Sequence, residues 1–142
     1  MNATTRSAEW SGSTDPRVLT LAAVDVLVIA VLILLGQRSH GISLLSDPVA
    51  SVETMIPFVA GWVVASLLAG VYAREVATSV PRAVRLSAVS WIAAANIGLL
   101  LRASDLFAGG AEWPFGLVMT GTGLVAILGW RVLYAAVVAK RL

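Results

Sequence analysis

The chain has 142 residues, of which 58% are apolar and 13% charged, with a mean hydropathy of +0.89 and a formal net charge of +2. Soluble domains carry roughly 25% charged residues, so this composition is typical of a membrane protein, and the length allows one domain. Cysteine is absent and His40 is the single histidine, which excludes disulfide frameworks, cysteine nucleophiles and thiolate or histidine-rich metal sites.

Four apolar segments are long enough to cross a bilayer as helices. The hydrocarbon core is about 30 Å thick and a helix rises about 1.5 Å per residue, so roughly 17 to 25 residues are needed. The predicted spans cover residues 18–36, 55–73, 82–101 and 115–139. We therefore predict an all-α integral membrane protein, a bundle of four transmembrane helices within residues 17–142. The small, polar residues 1–16 are predicted to form a flexible tail.

The first predicted span, VLTLAAVDVLVIAVLILLG, contains one ionisable residue, Asp25. This aspartate lies seven residues beyond Val18, about 10 Å along the helix axis. A charge near the centre of a bilayer costs roughly 2.5 to 3.5 kcal/mol on insertion scales, and such residues normally face a bundle interior or a cavity. We therefore expect Asp25 to face the other helices.

The second and third predicted spans carry unusual residues near mid-depth. Trp62 lies about 16 Å from the carboxyl end of its span, and Trp91 lies about 14 Å into the next. Tryptophans usually favour the membrane interfaces, and a buried indole N–H needs an acceptor such as Asp25. The alternative is that both are large packing residues. Asn96 lies deeper still and is typical of a hydrogen bond between two helices.

The fourth predicted span contains Trp130 and Arg131, and the arginine lies about 12 Å from the carboxyl end of that span. Opposite charges then lie at matching depth, so we predict that Arg131 neutralises Asp25 between the first and fourth helices. The predicted intramembrane polar centre comprises Asp25, Arg131, Trp62, Trp91, Trp130 and Asn96.

Three interpretations of this polar centre remain open. In the first, the ion pair is a structural staple between helices. In the second, Arg131 extends to the interface and leaves Asp25 protonated or bonded to a serine. In the third, the centre is a working site for a proton, an ion or a small polar ligand.

The distribution of basic residues predicts the orientation, because Lys and Arg concentrate in cytoplasmic segments. Only Arg38 and Arg102 lie in the two loops on one side. The amino tail, the loop between the second and third spans and the carboxyl end carry Arg6, Arg17, Arg74, Arg82, Arg85, Lys140 and Arg141. Both termini are therefore predicted to be cytoplasmic. These basic residues indicate topology rather than a surface for nucleic acid.

Several short motifs, taken together in chain order, resemble a known family. They are the aspartate of the first span, MIPFVAGW at residues 55–62, RAVRLSAVSW at residues 82–91, Arg102, WPF at residues 113–115 and GWR at residues 129–131. Over about residues 17–135 the chain resembles the prokaryotic membrane family called domain of unknown function 3054. The resemblance implies a four-helix, multi-pass protein of the bacterial or archaeal inner membrane, with no established activity.

The sequence contains no phosphate-binding glycine loop, zinc-protease motif or nucleophile elbow. We therefore predict no enzyme activity, no cofactor and no metal. The hypothesis that the sequence favours is a transporter or channel-like protein for a small solute or ion, with the polar centre as its working site. The alternative is a structural or accessory subunit that binds a partner protein, lipid or pigment.

The expected partners are the lipid bilayer and either a second copy of the chain or another membrane protein. A water-accessible cavity that reaches Asp25 would favour transport, whereas a buried, tightly packed ion pair would favour the accessory role.

Overall fold

The computed structural model describes residues 15–107 and 109–141, and this part of the chain is helical, with no strand. Its helices are α1 (Pro16–Ser39), α2 (Pro48–Ala69), the short α3 (Arg74–Ala77), α4 (Val80–Ala103) and α5 (Phe115–Arg141). The four long helices are each long and apolar enough to cross a membrane, which confirms the all-helical prediction with four spans. The tail predicted over residues 1–16 lies outside the described residues, except for its last two.

Two of the long helices begin with the same Asp-Pro pair. The Asp15 carboxylate accepts the backbone N–H of Arg17 at 2.9 Å at the start of α1. The Asp47 carboxylate accepts that of Ala50 at 3.1 Å at the start of α2. Each aspartate satisfies an N–H that has no partner within the helix, and the proline that follows has no N–H to satisfy.

Helix α2 is shifted from the span predicted over residues 55–73. It begins at Pro48, because the Asp-Pro cap starts the helix before the apolar run begins, and it ends at Ala69. Gly70 adopts a left-handed conformation with φ of 71°, which stops the helix and turns the chain. The residues after Gly70 therefore form a turn outside the helix, and this turn carries Tyr72 back toward the bundle. The other three long helices contain the spans predicted for them.

Helices α1 and α5 each bury one stripe of residues spaced by four. The buried residues are Leu21, Asp25, Ile29, Ile33 and Gln37 in α1, and Met119, Gly123, Ile127, Arg131 and Ala135 in α5. Residues at this spacing lie on one side of a helix, so each helix contacts the bundle along a narrow seam. Each seam carries one charged residue, and the two helices present these charges to each other.

Helices α2 and α4 pack against each other at the centre of the bundle. Their backbones approach so closely at Gly61 that a Cβ there would collide with the carbonyl oxygen of Ala94. Phe58, Trp62 and Trp91 are fully buried around this contact. Small residues at a helix crossing permit this approach, and the large aromatic rings fill the space beside it.

Candidate functional site

Asp25 of α1 and Arg131 of α5 form a buried ion pair with two hydrogen bonds. Nε of Arg131 donates to Oδ1 of Asp25 at 3.0 Å, and Nη2 donates to Oδ2 at 2.7 Å. The side chains of Arg131 and Asp25 are 1% and 0% exposed. Such a bidentate pair is both stronger and more directional than a single charged contact. The pair therefore fixes the position of α1 against α5.

Two neutral donors complete the hydrogen bonding of the Asp25 carboxylate. The indole N–H of Trp130 donates to Oδ1 at 3.0 Å, and the hydroxyl of Tyr72 donates to Oδ2 at 2.7 Å. Each carboxylate oxygen thus accepts one hydrogen bond from the guanidinium and one from a neutral group. A buried charge is tolerated when it is paired and its remaining lone pairs are satisfied, which is the situation of Asp25.

Tyr72 connects the ion pair to α2. Its hydroxyl accepts the indole N–H of Trp62 at 3.1 Å while it donates to Asp25. Cζ of Arg131 lies 5.1 Å from the centre of the Tyr72 ring, within range of a cation–π interaction. Burial of the phenol, the negative charge of Asp25 and the hydrogen bond to it together raise the pKa of Tyr72 to about 12. The hydroxyl is therefore protonated at neutral pH and available as a donor.

Trp91 forms a second layer that joins α4 to α5. Its ring lies 6.5 Å from that of Trp62, at an interplanar angle of 46°. Its indole N–H donates to the backbone carbonyl of Thr120 at 3.0 Å rather than to Asp25. A Cβ at Gly123 would overlap the indole of Trp91, so this ring packs directly on the backbone of α5.

The structure places the six residues of the predicted polar centre in four different situations. Asp25, Arg131 and Trp130 are in direct contact, Trp62 joins them through Tyr72, and Trp91 packs one layer further away. The sixth residue, Asn96, does not belong to the centre. Its side chain is exposed and donates to the carbonyl of Ile92 in its own helix at 2.8 Å, because position 96 lies outside the buried face of α4.

Tyr72 is the residue of this site that the sequence does not predict, because the apolar pattern assigns residues 55–73 to a single helix. Gly70, which follows an apolar run, is a typical helix-ending signal and would have placed Tyr72 in a turn. A turn next to a membrane helix can direct a phenol back into the bundle, where its hydroxyl reaches a buried acceptor.

A second polar cluster lies at the opposite end of the bundle, around Arg102 of α4. Its Nε donates to the carbonyl of Gly110 at 3.0 Å, and its Cζ lies 4.8 Å from the centre of the Phe115 ring. Gly109 has φ of 114°, and its missing side chain leaves room for the guanidinium. Glu53 of α2 interacts with this arginine electrostatically. Arg102 therefore fastens the loop between α4 and α5 to the bundle.

Within residues 15–107 and 109–141, no group of three or more His, Cys, Asp or Glu side chains is placed to hold a metal ion. Two surface grooves follow the seam between α1 and α5, and Asp25 lines neither of them. The side chains of Arg131 and Asp25 are 1% and 0% exposed, so the chemistry of the site is that of a buried network of charge and hydrogen bonds.

Comparison with curated proteins and with solved structures gives no match. The family model described as "Protein of unknown function (DUF3054)" matches residues 22–134. The matched segment includes both members of the ion pair, the turn with Tyr72, and Arg102. This match confirms the resemblance found in the sequence and shows that the chain belongs to the DUF3054 family of proteins of unknown function.

Proposed function

We propose that this chain is an accessory membrane protein, a rigid four-helix body that acts as a structural partner within the bilayer and carries no catalytic or transport chemistry of its own. The observation that supports this proposal is the saturation of the Asp25 carboxylate. Four donors from Arg131, Trp130 and Tyr72 occupy its two oxygens, and the pair has almost no contact with solvent.

A transport site must bind its solute and then release it. To bind Asp25, a solute would have to replace hydrogen bonds that other side chains of the protein already donate to this carboxylate. Two of these hydrogen bonds come from the charged guanidinium of Arg131. Removing one partner of a buried ion pair typically costs about 3–5 kcal/mol, so displacement by a solute would carry a comparable penalty. The geometry is therefore better suited to holding helices together than to exchanging a ligand.

The competing proposal is a transporter or channel-like protein, and one observation favours it. Nη1 of Arg131 and the hydroxyls of Ser87 and Ser90 on α4 are buried and have no hydrogen-bond partner within the described part of the chain. Buried polar groups are usually satisfied, so each of these atoms is a hydrogen-bonding group that a polar solute would use if the helices around it separated.

We further propose that both termini face the cytoplasm of a prokaryotic cell, with the inner membrane as the location. The exposed basic side chains Arg17, Arg74, Arg82, Arg85 and Lys140 surround one end of the bundle. At the other end Arg38 is exposed, whereas Arg102 is buried against the loop that it fastens. The positive-inside rule then favours the first end as the cytoplasmic one.

Flux measurements in vesicles distinguish the two proposals. The protein is reconstituted into vesicles that contain pyranine or lucigenin, and proton or chloride flux is followed under an imposed gradient. The accessory proposal expects flux equal to that of protein-free vesicles for the wild type, Asp25→Asn and Arg131→Leu. Asn96→Ala serves as the matched control, because Asn96 is a polar residue of the exposed surface. Flux in the wild type that Asp25→Asn abolishes and Asn96→Ala preserves would overturn the accessory proposal.

A further inference from the structure

Two grooves lie along the outer seam between α1 and α5. The larger has a volume of about 290 Å³ and is lined by Leu27, Val28, Val31, Leu32, Leu35 and Ala126. The smaller has a volume of about 190 Å³, lies at the amino-terminal end of α1, and is lined by Pro16, Arg17, Thr20 and Tyr134. The larger groove is lined by apolar residues alone, whereas the smaller is lined by one basic residue, Arg17, and by two residues that carry hydroxyl groups, Thr20 and Tyr134.

The two grooves follow the same side of the same helix pair. In α1 the lining residues Arg17, Thr20, Leu27, Val31 and Leu35 recur at intervals that keep them on one side of the helix. In α5, Ala126 and Tyr134 lie eight residues apart, again on one side. A ligand that enters the small polar groove is therefore aligned with the large apolar one.

The spacing between the grooves matches one leaflet of a bilayer. Leu27 lies ten residues beyond Arg17, which corresponds to about 15 Å along the helix axis. Half of the roughly 30 Å hydrocarbon core has the same thickness. An acyl chain that runs from a headgroup at Arg17 would therefore reach Leu27 and Val28, the residues of the apolar groove that lie nearest to Arg17.

The charge of the small groove favours an anion. Arg17 is exposed, and its side chain forms no ion pair with any other described residue. Its backbone N–H is already occupied by the Asp15 carboxylate, which caps the helix. Tyr134 stands opposite, and its ring packs 5.8 Å from that of Trp130, which itself donates to Asp25. The buried ion pair thus positions one wall of the groove.

From these observations we infer that the α1–α5 seam binds one anionic phospholipid, with its phosphate at Arg17 and Tyr134 and an acyl chain directed toward Leu27. The positive charge of Arg17 and the alignment of the two separate grooves on one side of α1 favour this occupant. The inference goes beyond the accessory function proposed above, and a transporter with the same seam would bind the same lipid. Failure of one proposal therefore leaves the other intact.

The test uses native mass spectrometry and thermal unfolding of the full chain in neutral detergent, with phosphatidylglycerol or phosphatidylcholine added. We expect phosphatidylglycerol to be retained more and to raise the unfolding temperature more. Arg17→Gln should weaken retention of phosphatidylglycerol about fivefold, the effect of one basic residue near a membrane surface. Arg82→Gln is the matched control, because it removes an exposed arginine at the same end of the bundle but away from the seam. Leu27→Trp should weaken retention of both lipids by filling the start of the apolar groove.

Several outcomes would overturn the lipid inference. Equal retention of the two lipids would remove the headgroup preference, and an equal effect of Arg17→Gln and Arg82→Gln would show general surface electrostatics. Stabilisation by inorganic phosphate equal to that by phosphatidylglycerol would identify a free anion as the ligand. A dimer that Leu27→Trp dissociates, with lipid retention unchanged, would assign the seam to a second copy of the chain.

Discussion

Arg131 meets Asp25 with two parallel hydrogen bonds, Nε to Oδ1 at 3.0 Å and Nη2 to Oδ2 at 2.7 Å, across the seam between the first and last long helices. Helix α1 contacts the bundle along one narrow stripe, in which Asp25 is the charged residue. Residues on the lipid side of a membrane helix gain little from apolar packing, because lipid tails are as apolar as leucine. The ion pair is therefore the strongest specific attachment of α1 within the described structure.

Tyr72 makes the stability of the bundle sensitive to alkaline pH. Burial and the negative charge of Asp25 raise the pKa of this phenol from 10.0 to about 12, so the folded state disfavours the ionised form. The unfolded chain releases the proton at lower pH than the folded chain. The stabilisation is therefore complete below about pH 10 and is lost as the pH rises through about 12.

This pH dependence is tested by measuring the free energy of unfolding in detergent at a series of pH values from 8 to 12. At each pH the protein is unfolded by titration with a denaturing detergent. Tyr72→Phe should lower stability at pH 8, because Asp25 loses a donor and Trp62 loses its acceptor, and should flatten the alkaline decline. Tyr134→Phe is the matched control and should retain that decline. An alkaline decline of equal size in the wild type and Tyr72→Phe would rule out this assignment.

Two glycines of α5 should respond in opposite ways to alanine. A Cβ at Gly123 would overlap the indole of Trp91, so Gly123→Ala should destabilise the bundle by about 1–3 kcal/mol. Gly121 has open space at its Cβ, so Gly121→Ala should be neutral or stabilising by up to about 1 kcal/mol. Thermal unfolding of both variants in the same detergent measures the difference. A Gly123→Ala variant as stable as Gly121→Ala would show that Trp91 does not pack on α5 in this way.

Arg102 should control the order of the loop between α4 and α5. Arg102→Gln loses the stacking on Phe115 and the hydrogen bond from Nε to the carbonyl of Gly110. We expect faster amide hydrogen exchange in the peptides that contain Gly109 and Gly110, with little change in the ion-pair region. Arg38→Gln, which removes an exposed arginine at the same end, is the control and should leave loop exchange unchanged. Unchanged exchange in Arg102→Gln would show that this arginine does not hold the loop.

Apolar length predicts the four long helices well, because a bilayer requires about twenty apolar residues whatever their packing partners. It places the ends of α2 poorly, since Asp47 and Gly70 set those ends through capping and a left-handed turn rather than through apolarity. Helix boundaries in this chain therefore depend on short-range backbone chemistry that a hydropathy reading does not weigh.

The sequence predicts the residues of the polar centre only through their depth in the membrane, which is counted in residues along each predicted span. The spans alone place Asp25 and Arg131 at matching depth, and the structure brings them into contact. Depth does not specify which side of a helix a residue occupies, so the predicted centre includes Asn96 although this residue lies on the exposed side of α4. Depth along a helix does not predict Tyr72 either, because this residue reaches Asp25 from a turn that returns the chain to the bundle.

A double-mutant cycle on the ion pair is the most direct test of the account. The free energy of unfolding is measured for the wild type, Asp25→Asn, Arg131→Leu and the double variant in one detergent. We predict that each single change costs about 3–5 kcal/mol, because it leaves a buried charge without its partner, and that the double variant loses much less than the sum of the two. Losses that add, or single variants as stable as the wild type, would contradict the claim that this pair holds the bundle together.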